Sequence, residues 1–446
     1  MPEVERSAFE SARWVARPVG DASVTNVAEV AAGGDVARRA IERCHVLLSD
    51  RGEVSGERLA NEALTAYESL PAASLDAFFT YLTRQFSPDA DAIDRCADEV
   101  RRRPSPEALE ALRLAIEPPR REVFRRLNLA HRGTAALIEM RRRVLAGLPN
   151  HPEWTAIAGD LEVLLRSWLN GGLLELRRID WHTPTPVLEN LIKYEAVHHI
   201  HDWAELRRRL QDDRRCFGFF HPSLPNEPLI FTELALTGEL SARVQPLLDP
   251  DSPVLDRKLR SFAMFYSISS CHDGLRGVSF GNSLIRRVVD TLRREYPRLR
   301  TFATLSPIPG FRSWLSGAAK NGNGGAADLL GSLADATCFA DAARAEELGK
   351  AMLPLCATYL LTARRGDEPA DPVARFHLAN GARLERINWL GDLSRAGIDR
   401  SASLTANYLY RLSDVERNHR AYLKERRVVA SRQVHLTALG ELAIAS

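Results

Sequence analysis

The chain has 446 residues, with 60 Lys or Arg against 58 Asp or Glu and a formal net charge of +2. A balance this even leaves no electrostatic footprint for nucleic acid. The longest apolar run, AMLPLCATYLL (351–361), is too short to cross a bilayer, which argues against a membrane segment.

This length suffices for two or three domains. The opening MPEVERSAFESARW lacks the apolar core of a signal peptide, and Glu3, Glu5 and Glu10 do not suit a transit peptide, so a cytoplasmic location is expected. From about 24 to 172 the apolar residues recur at helical spacing. Ser105, Pro106 and Glu107 supply a cap, a first-turn proline and an early acid, and similar starts stand at Ser55 and Ser74. Leu109, Leu112 and Ile116 form one helical face, which serves either the domain's own core or self-association. Gly171-Gly172 ends this region. Short β-rich runs follow at RCFGFF (215–220), PLIFTELAL (228–236), SFAMFYSIS (261–269) and LRTFATL (299–305), with helix GNSLIRRVVDTLRREY (281–296) between the last two. The reading is an α+β protein, with an all-helical domain over 1–176 and an α/β domain with helical insertions over 177–446. GAAKNGNGGAADLLG (317–331) reads as a flexible insertion. Cysteines at 44, 96, 216, 271, 338 and 356 form no C-x-x-C pair, so reduced thiols are expected rather than disulfides or a zinc site.

A strand, a glycine loop and a helix follow one another in FYSISSCHDGLRGVSFGNSLIRRVV (265–289). That order brings backbone N–H groups and a helix N-terminus up to a phosphate. Arg276, Gly277, Val278, Ser279, Phe280, Gly281 and Asn282 would form the loop. The run RGVSFGNSLI resembles the pyrophosphate loop of GNAT-type acetyltransferases, with Ser279 where that superfamily usually has another glycine. The next strand ends at Ser306, stiffened by Pro307 and Pro309. No Gly-x-Ser-x-Gly elbow surrounds it, which argues against an acyl-enzyme hydrolase. In PVARFHLANGA (372–382), Asp371-Pro372 opens a helix and Asn380-Gly381 closes it, which puts His377 in the last turn. GNAT acetyltransferases often carry a general-acid tyrosine at that distance from the glycine; here the residue is His377. Two clusters are set aside. HHIHD (His198, His199, His201, Asp202) lacks a third metal ligand at recognisable spacing. His221 and Glu227 in HPSLPNEP sit in what reads as a turn between strands.

HPSLPNEPLIFTELALTG (221–238), FYSIS (265–269), LRGVSFG (275–281), LSPIPGF (305–311), PVARFHLANGA (372–382), RINWLGD (386–392) and TANYLY (405–410) together resemble, in order, the malonyl-CoA decarboxylase family. The N-terminal third is similar only in being helical and poor in motifs. The resemblance implies a GNAT-like acyl-CoA-binding domain, malonyl-CoA as substrate and acetyl-CoA as product, and a homo-oligomer, dimer or tetramer. It implies no cofactor and no metal, since the thioester carbonyl is itself the electron sink. It makes Ser306 and His377 catalytic and brings Ser267 and Tyr410 to the same pocket, although each of these two reads equally as core packing or a strand hydroxyl. Ser306 is then expected to orient the carboxylate, backbone N–H groups at a break in SFAMFYSIS to stabilise the enolate oxygen, and His377 to protonate carbon. An acyltransferase of the same fold and a non-catalytic acyl-CoA sensor remain open alternatives.

Overall fold

The computed structural model describes residues 34–49, 55–278, 283–322, 324–334, 339 and 341–440. Two compact units make up the chain. The first comprises Met1–Leu173, Pro222–Leu224 and His272–Phe280; the second comprises Leu174–His221, Pro225–Cys271 and Gly281–Ser446.

Eight helices build the first unit among the described residues: α1 (Gly34–Ser49), α2 (Gly56–Glu68), α3 (Ala72–Gln85), α4 (Ala90–Arg102), α5 (Pro106–Ile116), α6 (Pro119–Leu127), α7 (Gly133–Gly147) and α8 (Thr155–Trp168). Its core is aromatic, with Tyr67, Phe78, Phe79, Phe124 and Trp154 all buried. Gly147 is required by space, because a Cβ there would run into the Trp154 ring. Arg120 and Arg121 both donate to the buried Asp160 carboxylate, at 2.6 and 2.5 Å, so the charge is paired where it leaves water. Helix α5 begins as expected, with Ser105 Oγ accepting from Ala108 N–H at 3.1 Å and Pro106 at the first position. Ser74, in contrast, lies inside the first turn of α3, whose cap is Pro71. The apolar stripe on α5 is not core: Leu109 is 55% and Ile116 51% exposed, and neither α4 nor α5 buries a side chain.

Of the described residues, 272–278 pack within this helical unit. Arg141 of α7, itself buried, donates to the carbonyls of Gly274 at 2.6 Å and Arg276 at 2.7 Å, and to the Glu162 carboxylate at 2.7 Å. A side chain at Gly274 would collide with the Ile138 carbonyl, so only glycine permits this approach.

The second unit is built on an eight-stranded sheet with helices against it. Its strands are β1 (Glu175–Ile179), β2 (Arg214–Phe220), β3 (Ile230–Thr237), β4 (Phe262–Ser270), β5 (Thr301–Thr304), β6 (Ser306–Pro307), β9 (Arg383–Asn388) and β10 (Thr405–Tyr410); β7 (Arg364–Arg365) and β8 (Glu368–Pro369) form a separate pair. The order is β1-β2-β3-β4-β5-β10-β6, with β9 on the other side of β10. Helices α9 (Thr185–Tyr194) and α10 (Trp203–Arg209) precede β2, and α11 (Ser283–Glu295) connects β4 to β5. That crossover makes β4 and β5 the one parallel pair among the named neighbours, as a strand, helix, strand unit requires. The α+β expectation therefore holds, with the helical region first and the mixed sheet after it.

Two irregularities open the middle of the sheet. Pairing of β4 with β5 ends at Phe265 opposite Thr304, followed by Leu305 N–H to the Phe265 carbonyl at 2.8 Å. On the opposite edge of β4 the register slips between Glu233 and Leu234, which leaves Tyr266 as an extra residue, a β-bulge. The chain leaving β5 then pairs with β10 as β6, Ser306 opposite Ala406.

Apart from a single helical turn at Gln245–Leu248, the remaining α-helices among the described residues are α12 (Phe311–Lys320), α13 (Gly324–Ala334), α14 (Ala342–Thr362), α15 (Pro372–Ala379), α16 (Arg395–Ser401), α17 (Val415–Glu425) and α18 (Arg432–Ala438). The glycine-rich stretch 317–331, expected to be a flexible insertion, is mostly helical: α12 and α13 cover it except near Gly322, which turns the chain at φ +91°. Alanine and leucine at helix positions outweigh the scattered glycines there. The run 351–361 lies in α14, and no helix among the described residues is long and apolar enough to cross a membrane. The five described cysteines are free thiols, and Cys338 lies outside the described residues.

Candidate active site

Ser306 and His377 meet because two local signals act on neighbouring elements. Ser306 follows the break in β5 and is held in register by Ala406 of β10. His377 sits in the last turn of α15, which Asp371 caps by accepting from Val373 N–H at 3.0 Å and Ala374 N–H at 2.9 Å. Pro372 takes the first position, and Gly381, at φ +77°, ends the segment against the Val415 backbone. The imidazole Nε2 is 3.0 Å from Ser306 Oγ and Nδ1 is 2.8 Å from Tyr410 Oη. Ser306 Oγ donates in turn to Thr304 Oγ1 at 2.8 Å, which also accepts from Tyr408 N–H at 3.2 Å. The His377 ring stacks on Tyr408, centroids 4.6 Å apart and planes 24° from parallel.

The hydrogen-bond directions form one consistent chain. With Ser306 donating to Thr304, the imidazole donates to Ser306 through Nε2 and accepts at Nδ1 from the Tyr410 hydroxyl. All five side chains are buried: Thr304, Ser306, His377, Tyr408 and Tyr410. Burial alone pushes the His377 imidazole down from its ordinary 6.5 to about 3, and pushes the Tyr410 phenol well up. The ring is therefore neutral at physiological pH. Among the described residues the partner of Nδ1 is the Tyr410 hydroxyl and not a carboxylate, the group that stabilises an imidazolium in a serine hydrolase triad. A phenol there suits an imidazole that passes a proton on and takes one back without accumulating positive charge.

Ser267 is placed differently. Its hydroxyl donates to the buried Glu195 carboxylate at 2.8 and 2.7 Å and lies 3.2 Å from Ser269 Oγ. Glu195 also accepts from Ser269 Oγ at 3.1 Å and from the backbone N–H groups of Val197 and His198 at 3.0 and 2.8 Å. This network sits at the β4 bulge and is not hydrogen-bonded to the His377 cluster among the described residues. In the loop, Arg276 is exposed, Gly277 adopts φ +85° and Val278 is buried, while Ser279, Phe280, Gly281 and Asn282 lie outside the described residues. The positive φ explains why a glycine stands at 277. In HHIHD, Asp202 caps α10, the His199 and His201 rings lie 5.0 Å apart, and buried His198 points Nδ1 toward Asp392 at 3.9 Å. No group of three metal-binding side chains occurs among the described residues. HPSLPNEP connects β2 to β3 as a turn.

Three partners of the expected site residues escaped sequence reading: Thr304 and Tyr408 in the His377 cluster, and Glu195 beside Ser267. The first two had a usable signal. Thr304 stands two residues from Ser306 and Tyr408 two from Tyr410, and alternate residues of a strand share a face. Glu195 had none, because its partners are 72 and 74 residues away.

Comparison with known proteins sharpens this picture. The chain matches the family model of the malonyl-CoA decarboxylase C-terminal domain over residues 172–443 and that of the N-terminal domain over 86–169. It is 32% identical over 458 residues to the mitochondrial malonyl-CoA decarboxylase of Anser anser anser, covering 93% of this chain and 90% of the relative. Among solved structures, the malonyl-CoA decarboxylase of Rhodopseudomonas palustris is 45% identical with a TM-score of 0.86, covering 89% of this chain and 98% of that one. The corresponding protein of Agrobacterium vitis is 45% identical with a TM-score of 0.85, covering 91% and 100%.

Proposed function

The chain belongs to the malonyl-CoA decarboxylase family, and from that premise we propose that the Tyr410, His377, Ser306 chain performs the reaction of this enzyme, malonyl-CoA to acetyl-CoA and carbon dioxide. The observation that carries the reading is the ordered hydrogen-bond chain through a neutral imidazole.

Breaking the bond to the carboxylate sends its electron pair into the thioester, leaving an enolate. Ser306 turns its hydroxyl from Thr304 to the substrate carboxylate and holds that bond perpendicular to the thioester plane, where overlap is best. The buried, aromatic surroundings favour release of a charged carboxylate as neutral carbon dioxide. Backbone N–H groups at the β4 bulge, where Tyr266 is unopposed, are the proposed donors to the enolate oxygen. The enolate carbon is a far stronger base than an imidazole anion, so the Nε2–H of neutral His377 protonates it while the Tyr410 hydroxyl gives a proton to Nδ1; a solvent proton then reaches Nε2 as Nδ1 hands its proton back to the Tyr410 phenolate, which restores the starting tautomer. The thioester is the electron sink throughout, and the loop over 276–282 is proposed to hold the pyrophosphate.

In deuterated water the reaction should yield acetyl-CoA carrying one deuterium in its methyl group, read by mass spectrometry. Free CoA with an acylated acceptor would instead identify a transferase, and unchanged malonyl-CoA a sensor.

Self-association is part of the same proposal, as a dimer or tetramer. The exposed Leu109 and Ile116 on α5 supply an apolar surface suited to it. Light scattering at micromolar concentration should report more than one copy, and a strictly monomeric chain would remove the idea. A cytoplasmic location is proposed in contrast to the mitochondrial one in the vertebrate relative's name.

A further inference from the structure

Asp371 touches both elements that bring the reactive pair together. Its Oδ1 accepts from Val373 N–H at 3.0 Å and Ala374 N–H at 2.9 Å, at the start of the helix that carries His377. Its Oδ2 accepts from Gly310 N–H at 3.1 Å, in the turn that follows Ser306 and Pro307. Burial and the nearby Asp371 charge together push the phenol of Tyr359 on α14 up. Asp371 is only 2% exposed, and the three backbone N–H groups supply the hydrogen bonds that a buried carboxylate needs. The close packing of the turn is specific. Gly310 has an ordinary φ of −84°, yet a Cβ there would strike the Tyr359 hydroxyl and come within 3.3 Å of Asp371 Oδ2.

We propose that Asp371 is a positioning residue for catalysis: one oxygen starts the His377 helix, the other pins the turn after Ser306, and the two arms together set the 3.0 Å approach of Ser306 Oγ to His377 Nε2. A helix cap alone needs only the first arm. The second arm crosses from one element to the other, 61 residues away in sequence, and it has no role in starting the helix. The inference rests on the reading of Ser306 and His377 given above.

Asp371→Asn separates the arms. The single amide oxygen accepts either at the helix start or from Gly310, and the amide nitrogen turned toward the other side cannot accept, so one arm is lost whichever way the group is turned. The variant should fold with a near-normal melting temperature and keep KM within about twofold. Its kcat should fall by about 10 to 100-fold, the scale of a misplacement of about 1 Å in a reacting group. In a Ser306→Ala background, measured by single turnover with excess enzyme, adding Asp371→Asn should change the rate by less than about twofold, since there is no hydroxyl left to position. A purely structural role predicts equal losses in both backgrounds, and wild-type kcat in Asp371→Asn alone also overturns the proposal. If Asp371→Asn does not fold, Gly310→Ala tests the same turn: kcat should fall and recover in part on adding Tyr359→Phe, and an unaffected kcat in Gly310→Ala sinks the idea. Normal turnover by Ser306→Ala would remove the site reading itself. Impaired Ser306→Ala beside unimpaired Asp371→Asn removes the positioning role alone.

Discussion

Replacing His377 by alanine should cost about 10² to 10⁴ in kcat with a modest change in KM, because the proton it is proposed to supply is needed only as the transition state forms. The side chain is buried, held at both ring nitrogens and stacked on Tyr408, so its loss removes the donor and the link to Tyr410 together. The pH dependence gives a second readout. Burial lowers the imidazole to about 3, so the ring is neutral above that value and stays neutral through the physiological range. Activity as kcat/KM should then be flat between about pH 5.5 and 9 and fall only on the acid side, as the ring begins to take up a proton. An inflection near the ordinary histidine value in wild type, absent in His377→Ala, would mean that the charged form is the working one. Near-normal turnover by a folded His377→Ala would dismiss the residue from the mechanism.

The loss of Ser306 should be nearly as severe and of a different character. Alanine leaves Nε2–H of His377 without its buried acceptor, at a cost of about 1 to 3 kcal/mol. It also removes the donor proposed to hold the malonyl carboxylate, so kcat should fall by about 10² and KM should rise as well. Acetyl-CoA has no carboxylate. Its inhibition constant should therefore stay near wild type in Ser306→Ala while the KM for malonyl-CoA climbs. A parallel rise in both would show that the hydroxyl serves the shared part of the ligand or the fold.

Much of the site was legible because its signals are local. Asp371-Pro372 and Asn380-Gly381 bracket a helix whose length leaves one place for His377, and the stiffened course of the chain beyond β5 is written in the two prolines that follow Ser306. What could not be read is set by distance through space. Glu195 captures Ser267 from a separate loop, and no pattern within either segment announces it. The helical reading of Pro106–Ile116 was sound, but periodicity cannot tell which apolar face finds a partner inside the unit, and here Leu109 and Ile116 did not. Around Gly322 composition misled: glycine content suggested a loop, although each glycine costs a helix only about 1 kcal/mol and the alanines and leucines between them outweigh it.

The division of the chain bears on how the protein is made. The helical unit is not finished when residue 173 has been synthesised, because Pro222–Leu224 and His272–Phe280 belong to it. Arg141, a buried cation, finds the carbonyls of Gly274 and Arg276 only once that stretch has left the ribosome. Of its acceptors, the Ala158 carbonyl and the Glu162 carboxylate precede that stretch in the chain. An exchange of helical halves between two relatives would have to carry residues 272–280 along with it, so the unit inherited together is discontinuous in the gene.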